Sequence, residues 1–328
     1  MTVTNKMIHP ELRKTGKLIR IILPYFRPST FYMCNRALKF MKGRASKAIR
    51  YEQIRIPSHN SRGEASGLRL CVYRPLEIKE NVPGLVWIHG GGYGLGIPEQ
   101  DEKAILNFIR ESGCTVVAPD YCLSVTAPYP AALEDCYTAL LWLKENASSL
   151  GIRTDQLMVG GDSAGGGLTA ALAIYARDKG EVAIAFQMPL YPMLDDRMIT
   201  KSSQNNDAPV WNTKSNENGW KLYLGALYGT DKVPAYAAPA RLSDFRGLPP
   251  AFTFVGSIEP FCDETVCYME QLKAAGVSVR YKVFDGCYHA FDIIGSKSSP
   301  AKEATALLME NFRYAVKHYF APQIENKI

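Results

Sequence analysis

Short apolar runs alternate along this chain with longer segments in which apolar residues recur every three to four positions. Short runs bounded by turn residues are typical of strands, and the longer spacing is typical of helices that cover a sheet. The first two runs alternate polar and apolar residues, which predicts an antiparallel hairpin at a sheet edge. The predicted strands are 51–56, 68–73, 84–88, 115–118, 157–159, 183–188, 251–255 and 278–284. The predicted helices are 99–110, 131–147, one that begins at 168, 261–275 and 300–320.

This alternation predicts an α/β fold with an eight-stranded, mostly parallel sheet whose second strand is antiparallel. Residues 195–249 interrupt the alternation, and their aromatic content is too high for a disordered linker. Those aromatic residues are Trp211, Trp220, Tyr223 and Tyr228. We interpret residues 195–249 as a folded lid, the alternative being a surface excursion without function. Residues 51–194 and 250–328 then form one core, and residues 1–50 are an N-terminal arm that completes a helical cap.

The N-terminal arm is strongly basic, with twelve lysines and arginines and one acidic residue, Glu11. The chain as a whole has a formal net charge of +6, so the remaining residues carry −5. A basic arm can bind nucleic acid or an anionic membrane. Here the charges alternate with apolar residues at helical spacing, so we favour two amphipathic helices packed on the core, with weak membrane-surface contact as the alternative. We expect no nucleic-acid partner. The apolar residues of this spacing are Leu12, Ile19, Leu23, Phe31, Cys34, Leu38 and Met41.

Composition restricts the fold and the compartment only slightly further. A chain of 328 residues with 47% apolar residues can bury one large core. Its eight cysteines include no CxxC pair, which indicates free thiols in a reducing compartment. No apolar run approaches the ~20 residues of a membrane span, and no signal peptide is evident. We therefore expect a cytoplasmic protein.

The sequence Gly161-Asp162-Ser163-Ala164-Gly165 follows an apolar run and precedes a run of small residues at helical spacing. A strand, a sharp turn and a helix in this order form an elbow that exposes a serine hydroxyl, and the flanking glycines avoid collisions with neighbouring elements. The alternative is a phosphate-binding loop, but no Lys-Ser or Lys-Thr pair follows the glycines. Ser163 is therefore the predicted nucleophile.

A serine nucleophile needs a base that contacts it and an acid that orients the base. Of the five histidines, His289 follows the last predicted strand, so it lies at the same sheet edge as Ser163. The others are less suited: His9 in the arm, His59 in a turn, His89 before three glycines, where it would hold a loop, and His318 in the last helix. A buried structural histidine is the alternative for His289.

The acid is predicted after the strand at 251–255, where Glu259 stands before a proline suited to a first helical turn. Asp263 is the alternative. Asp263 and Glu264 lie one turn inside the helix and would more easily face solvent or cap its start. Metal ligands and organic cofactors are not required for this chemistry.

Three glycines, Gly90 to Gly92, follow a buried strand and leave backbone N–H groups able to approach a substrate oxygen. Together with the N–H of Ala164 they would form an oxyanion hole. The alternative is a glycine-rich turn used only for close packing.

Three motifs together resemble the hormone-sensitive-lipase-like group of α/β-hydrolase carboxylesterases. They are His89-Gly90-Gly91-Gly92, Gly161-Asp162-Ser163-Ala164-Gly165-Gly166, and a Gly-x-x-His-x-Phe loop at 286–291. The resemblance covers about residues 50–320 and implies an α/β-hydrolase fold with a helical cap. It also implies hydrolysis of short acyl esters, a nucleophile at Ser163, a base at His289 and oxyanion donors at Gly91, Gly92 and Ala164. The usual acid of the family is aspartate, whereas this chain has Glu259.

We therefore predict a serine carboxylesterase that acts through an acyl-enzyme, with a small-molecule ester as substrate. We expect Tyr93, Tyr191 and Trp211 to line the substrate-binding pocket. Family members often pair through an edge strand or the last helix, so a homodimer is expected as well. Two alternatives remain: an amidase or peptidase on the same triad, and a non-catalytic module that binds a small ligand.

Overall fold

A computed structural model describes residues 2–58, 67–77 and 79–323 of the chain. The strands are β1 (Ile49–Ile56), β2 (Leu68–Pro75), β3 (Val82–Ile88), β4 (Thr115–Pro119), β5 (Ile152–Asp162), β6 (Phe186–Leu190), β7 (Ala251–Gly256) and β8 (Val279–Phe284). They form one sheet in the order β1-β2-β4-β3-β5-β6-β7-β8. β2 is antiparallel to both of its neighbours, and all other neighbouring pairs are parallel. The predicted α/β fold is therefore confirmed.

Helices cover both faces of the sheet. They are α1 (Arg13–Ile22), α2 (Pro28–Leu38), α3 (Glu102–Ser112), α4 (Ala131–Glu145), α5 (Ala164–Lys179), α6 (Thr213–Leu224), α7 (Cys262–Ala274), α8 (Phe291–Ile294) and α9 (Ser299–His318). Successive strand residues point to opposite faces. Accordingly, Val86 and Val159 belong to one apolar cluster, with α4, α5 and α7, while Leu85 and Met158 belong to another, with α3 and α9.

One strand lies later than its apolar run predicted. The prediction was 183–188, whereas β6 spans Phe186–Leu190. Val182 and Ile184 are buried in the first apolar cluster before the strand begins. These two residues are therefore apolar because they pack beneath the helices, and this led to a predicted strand that begins too early.

The lid and the N-terminal arm contact each other directly. The ring centroids of Phe26 and Trp211 are 5.4 Å apart, and the Phe26 N–H donates to Ser215 Oγ over 3.0 Å. Within the lid, α6 buries Trp220 and Tyr223. The lid is therefore a folded segment, and the boundaries of the predicted domains stay a prediction.

The arm buries less of its apolar surface than expected. Leu12 and Phe31 are buried, but Met41 is exposed. Gly16 is the buried residue of α1, and it has no side chain of its own to bury. The predicted packing residues Ile19 and Leu23 are half-buried, whereas three apolar side chains of α1 that the prediction did not include face solvent. They are Leu18, Ile21 and Ile22.

No helix among the described residues has the length and apolar character needed to cross a membrane. All eight cysteines are free thiols, as their spacing predicted. The compartment stays a prediction.

Arg69 of β2 joins two carboxylates inside the protein and is 4% exposed. It donates from Nη1 to Glu99 Oε1 over 2.6 Å and from Nε to Asp120 Oδ2 over 2.9 Å. We expect Arg69→Leu to lower the free energy of unfolding by about 3–5 kcal/mol, because it leaves the buried Glu99 carboxylate without its counter-charge. Urea unfolding followed by tryptophan fluorescence measures this change. Arg50→Leu, at an exposed arginine of β1, is the control, and an equal loss in both variants would contradict the assignment.

Candidate active site

Ser163 is the single residue between β5 and α5, and its backbone is strained. Its φ of +56° and ψ of −118° lie in a region that residues with side chains rarely adopt. The Ser163 N–H donates to the Leu190 carbonyl of β6 over 2.9 Å, which holds the turn against the sheet. The hydroxyl therefore lies at the N-terminus of α5, where the helix dipole favours negative charge.

The glycines of this elbow permit a close approach of β3. A Cβ atom on Gly161 would lie 2.3 Å from the Ile88 carbonyl oxygen, and one on Gly165 would lie 2.0 Å from the same atom. Neither position accepts a side chain without displacing the backbone. Because β3 ends at Ile88, the glycines that follow it begin beside the serine.

His289 contacts both of the other residues predicted to act with it. Its Nε2 atom lies 2.7 Å from Ser163 Oγ, and its Nδ1 atom is hydrogen-bonded to Glu259 Oε2. Glu259 is fully buried, and Ser163 and His289 are 6% and 3% exposed. The structure thus brings the three side chains into one hydrogen-bonded chain of the kind that transfers acyl groups.

Glu259, and not Asp263, contacts the imidazole. The second oxygen of Glu259 accepts the N–H of Gly256 over 2.8 Å, so both oxygens of this carboxylate are engaged. Asp263 accepts the N–H of Ser202 over 2.7 Å at the start of α7.

Glu264 is not a solvent-facing residue, so that expectation is wrong. Its side chain is buried and accepts the N–H of Leu194 over 2.7 Å. Burial raises the pKa of Glu264 well above its usual value. The carboxyl instead joins α7 to the segment in which the lid begins.

His89 holds a loop, as its position before the glycines predicted. Its Nδ1 atom lies 2.9 Å from the Gly90 carbonyl, and its ring stacks on Tyr121 with centroids 4.2 Å apart. Burial lowers the pKa of His89 to about 4, so the imidazole is neutral at physiological pH. The remaining histidines are His9 in the arm, His318 at the end of α9, and His59, which lies outside the described residues.

The three glycines after β3, which we call the glycine loop (Gly90–Gly92), leave backbone donors next to the elbow. Gly91 and Gly92 have φ values of +130° and +57°, which favour glycine. A Cβ atom on Gly92 would lie 2.3 Å from the ring of Trp211. The N–H groups of Gly91, Gly92 and Ala164 have no acceptor within the part of the chain that the structure describes. These donors are therefore free for an oxygen of a bound molecule.

Two of the three residues predicted to bind substrate lie against the imidazole. The ring centroids of Trp211 and Tyr191 are 6.3 Å and 5.0 Å from that of His289. Tyr93 lies elsewhere, since its ring stacks on Tyr223 at 3.8 Å and its hydroxyl donates to the Met193 carbonyl over 3.0 Å. Tyr93 thus packs the core against the lid, and its role in binding stays a prediction.

Phe261 was assigned no role from the sequence, yet it also contacts the base. Its ring meets that of His289 edge-on, with centroids 5.0 Å apart. Its place just before α7 was visible in the sequence, but nothing in that pattern indicates which side chain the ring meets.

Buried carboxyl groups lie beside the nucleophile, and sequence reasoning gave them no role. Asp162, which precedes Ser163, accepts the N–H of Gly90 over 3.0 Å and so holds the glycine loop. Asp101 accepts the indole N–H of Trp87 over 2.9 Å. Burial raises the pKa of Asp101 to about 6, and burial together with the charge of Asp101 raises that of Asp162 well above its usual value. Asp162 is visible in the motif around Ser163, but nothing in the sequence indicates that Asp101 lies beside it.

Asp292, a partly buried residue, contributes a third carboxyl group. Its Oδ2 atom accepts the Tyr191 hydroxyl over 3.4 Å, and its buried Oδ1 atom has no partner among the described residues. Burial, followed by the charge of Asp162, raises the pKa of Asp292 to about 7. Asp292, Asp101 and Asp162 all line a cavity of about 100 Å³. No group of three His, Cys, Asp or Glu side chains in the described ranges is arranged to hold a metal ion.

The raised pKa of Asp292 predicts a pH-dependent gain in stability for Asp292→Asn. The folded chain retains a proton there up to about pH 7, whereas the unfolded chain releases it near pH 4, so the stability from this group is lost as pH rises between these values. An amide removes that loss. We expect the variant to exceed the wild type by about 1–3 kcal/mol at pH 8 and by little at pH 4. Urea unfolding at both pH values tests this, with Asp285→Asn, at an exposed position of the loop before α8, as control. A constant difference would contradict it.

Known proteins of similar sequence and structure indicate the family of this chain. A family model described as alpha/beta hydrolase fold matches residues 85–293. Carboxylesterase NlhH of Mycobacterium tuberculosis is 35% identical over 237 residues, which cover 71% of this chain and 74% of that protein. Esterase LipI of the same species is 31% identical over 258 residues, or 78% and 80% of the two chains.

Among solved structures, a bacterial heroin esterase superposes with a TM-score of 0.88 and 30% identity, covering 96% of this chain and 99% of that one. The chain therefore belongs to the hormone-sensitive-lipase-like family of α/β-hydrolase carboxylesterases.

Proposed function

We propose that this carboxylic ester hydrolase acts through Ser163 as nucleophile, His289 as base and Glu259 as the acid that orients the base. The observation that carries the proposal is the 2.7 Å separation of Ser163 Oγ and His289 Nε2, with the opposite ring nitrogen bound to Glu259. A non-catalytic module would have no need of such a buried, strained and hydrogen-bonded serine.

The reaction has two halves with the same proton path. Nε2 of His289 accepts the Ser163 proton while Oγ attacks the ester carbonyl carbon, and the alcohol then leaves with that proton. In the second half, His289 removes a proton from water, which attacks the acyl-enzyme. The carboxylic acid leaves, and Oγ recovers its proton. Glu259 accepts the hydrogen bond of Nδ1 and so keeps Nε2 directed towards Ser163.

The glycine loop and α5 supply the donors for the oxyanion. The N–H groups of Gly91, Gly92 and Ala164 have no acceptor among the described residues, and Ala164 begins α5 directly after the nucleophile. Donors that are already oriented stabilise the negative oxygen without reorganisation, and the loss of one such donor typically costs on the order of 10²-fold in rate. Asp162 supports this role indirectly, because it holds Gly90.

Aromatic packing supports a short acyl group. Trp211 lies against Gly92 and near His289, and it also packs on Phe26 of the arm and Phe261. These rings occupy the space next to the proposed oxyanion donors, so a long acyl chain would have to displace them. We infer that acetyl to butyryl esters fit best.

A homodimer is a further proposal that rests on the family resemblance. β8 ends the strand order, so one of its sides pairs with no other described strand. Such an edge offers backbone donors and acceptors to a second chain. Analytical ultracentrifugation distinguishes a dimer from a monomer.

Ser163→Ala tests the nucleophile. We expect kcat for p-nitrophenyl butyrate to fall by on the order of 10⁴-fold or more, because the alanine cannot form the acyl-enzyme. An organophosphonate should add its mass to one serine of the wild type and to none in the variant. Near-normal turnover by the variant would refute the assignment, and Ser299→Ala, at an exposed serine, controls for substitution itself.

Trp211→Leu tests the limit on acyl length. We expect the ratio of kcat/KM for p-nitrophenyl octanoate to that for the acetate to rise about tenfold or more, because each accommodated methylene contributes binding energy. Trp220→Leu is the matched control, since Trp220 is buried in the same lid but packs on Tyr93 and Tyr223. An equal rise in both variants would indicate general loosening of the lid and contradict the proposal.

A further inference from the structure

Exposed apolar side chains concentrate in the N-terminal arm. Of fourteen large apolar side chains that are exposed in the described residues, eight lie between residues 7 and 41. They are Met7, Leu18, Ile21, Ile22, Tyr32, Met33, Phe40 and Met41. Scattered exposed apolar residues are ordinary, whereas their concentration in one segment, here called the patch, indicates an interaction surface.

On α1 this patch has helical spacing. Leu18, Ile21 and Ile22 stand at positions i, i+3 and i+4, so they share one face, and they are 56% to 71% exposed. Met33 on α2 and Phe40 in the following turn are 65% and 75% exposed. Both helices of the arm therefore present apolar side chains outward.

The opposite side of α1 is attached to the protein, so the outward apolar face does not result from a detached helix. A Cβ atom on Gly16 would lie 3.0 Å from the ring of Tyr288, which shows how closely α1 packs on that loop. Arg20 donates to the carbonyls of Val3 and Asp207 over 2.7 Å and 3.0 Å. These contacts fix which face of the helix is free.

The charge around the patch is positive, although Arg20 and Lys42 pair with Asp207 and Asp120 of the rest of the chain. The arm has a net charge of +11, and Glu11, its one acid, accepts hydrogen bonds from Ser299. The exposed cations of the arm are Lys6, Arg13, Lys14, Lys17, Arg27, Arg36, Lys39, Lys42, Arg44, Lys47 and Arg50. Apolar side chains flanked by lysine and arginine match an anionic lipid surface, where tails bury the former and headgroups pair with the latter. A second copy of the same arm would be repelled.

We propose that the N-terminal arm docks this protein on anionic lipid surfaces, and that its substrates include short-acyl esters of lipophilic alcohols dissolved there. The second part rests on the proposed function, whereas the docking itself does not. The arm also covers the site: α1 packs on Tyr288, the neighbour of His289, and Phe26 packs on Trp211. Docking therefore brings the cover of the triad to the place where such esters accumulate.

Vesicle flotation with the full chain tests the docking. The probe vesicles are phosphatidylcholine alone and phosphatidylcholine with 30% phosphatidylglycerol, a composition chosen to carry negative charge. We expect binding to the anionic vesicles, weakened at least about tenfold by 0.5 M NaCl because salt screens the lysines and arginines. Absence of binding to anionic vesicles at low salt would overturn the proposal.

Two variants separate the apolar from the cationic contribution. Leu18→Ser/Ile21→Ser/Ile22→Ser removes the face of α1, and Lys14→Glu/Lys17→Glu reverses the charge next to it. Each should weaken vesicle binding about tenfold or more. The matched control is Leu76→Ser/Ile199→Ser/Phe320→Ser, which removes three exposed apolar side chains outside the arm and should bind as the wild type does. If the α1 variant bound vesicles as the wild type does, lipid docking would be refuted. It would also be refuted if the wild type did not bind vesicles and instead used this face to form a dimer or to bind an acidic protein.

Hydrolysis separates failure of docking from failure of the esterase assignment. The α1 variant, the Lys14→Glu/Lys17→Glu variant and the matched control should all hydrolyse soluble p-nitrophenyl acetate at the wild-type rate. This rate also reports that each variant is correctly folded. On hexadecyl acetate incorporated in anionic vesicles, the α1 variant should release acetate at least about fivefold more slowly than the wild type. Equal rates of the two proteins on the vesicle-embedded ester would overturn the proposed substrate class. If the wild type did not hydrolyse soluble p-nitrophenyl acetate at all, the proposed function itself would be overturned.

Discussion

The close approach of β3 to the elbow is the constraint on which the rest of the site depends. The Ile88 carbonyl occupies the space that a side chain on Gly161 or Gly165 would need. Because β3 and β5 are parallel neighbours, the glycine loop emerges beside Ser163. β7 and β8 run in the same direction, so the loops after them reach the same edge of the sheet with Glu259 and His289. One backbone contact thus sets the position of the proposed oxyanion donors relative to Ser163. The parallel sheet brings Glu259 and His289 to the same edge.

Burial disfavours ionisation of the carboxyl groups around the base. Asp162 and Asp292 both interact electrostatically with His289, and burial raises the pKa of each carboxyl. A carboxyl that keeps its proton presents no full negative charge to the imidazole. The pocket can therefore contain several acids while Glu259 alone is hydrogen-bonded to the ring.

Local patterns predicted the parts of the site that local backbone physics determines. The elbow around Ser163 needs glycines and a strand-to-helix order, and both are visible in the sequence. His289 could be found by elimination, although it lies 126 residues away in the chain. Asp292 could not, because its burial depends on side chains from distant elements. The outward apolar face of α1 was missed for a related reason. Helical spacing shows which apolar residues share a face, but it does not show that α1 packs on the protein through the face that carries Gly16.

The burial of Ser163 and His289 has a kinetic consequence. With Trp211 and Phe26 in contact, the arm and the lid close over the reacting atoms as one interlocked cover. A bulky ester could reach the serine only by displacing that cover, so we expect turnover to fall as the substrate becomes larger. The same cover keeps bulk water away from the hydrogen bonds of the triad. The contact between arm and lid would therefore both select substrates by size and exclude water from the reacting atoms.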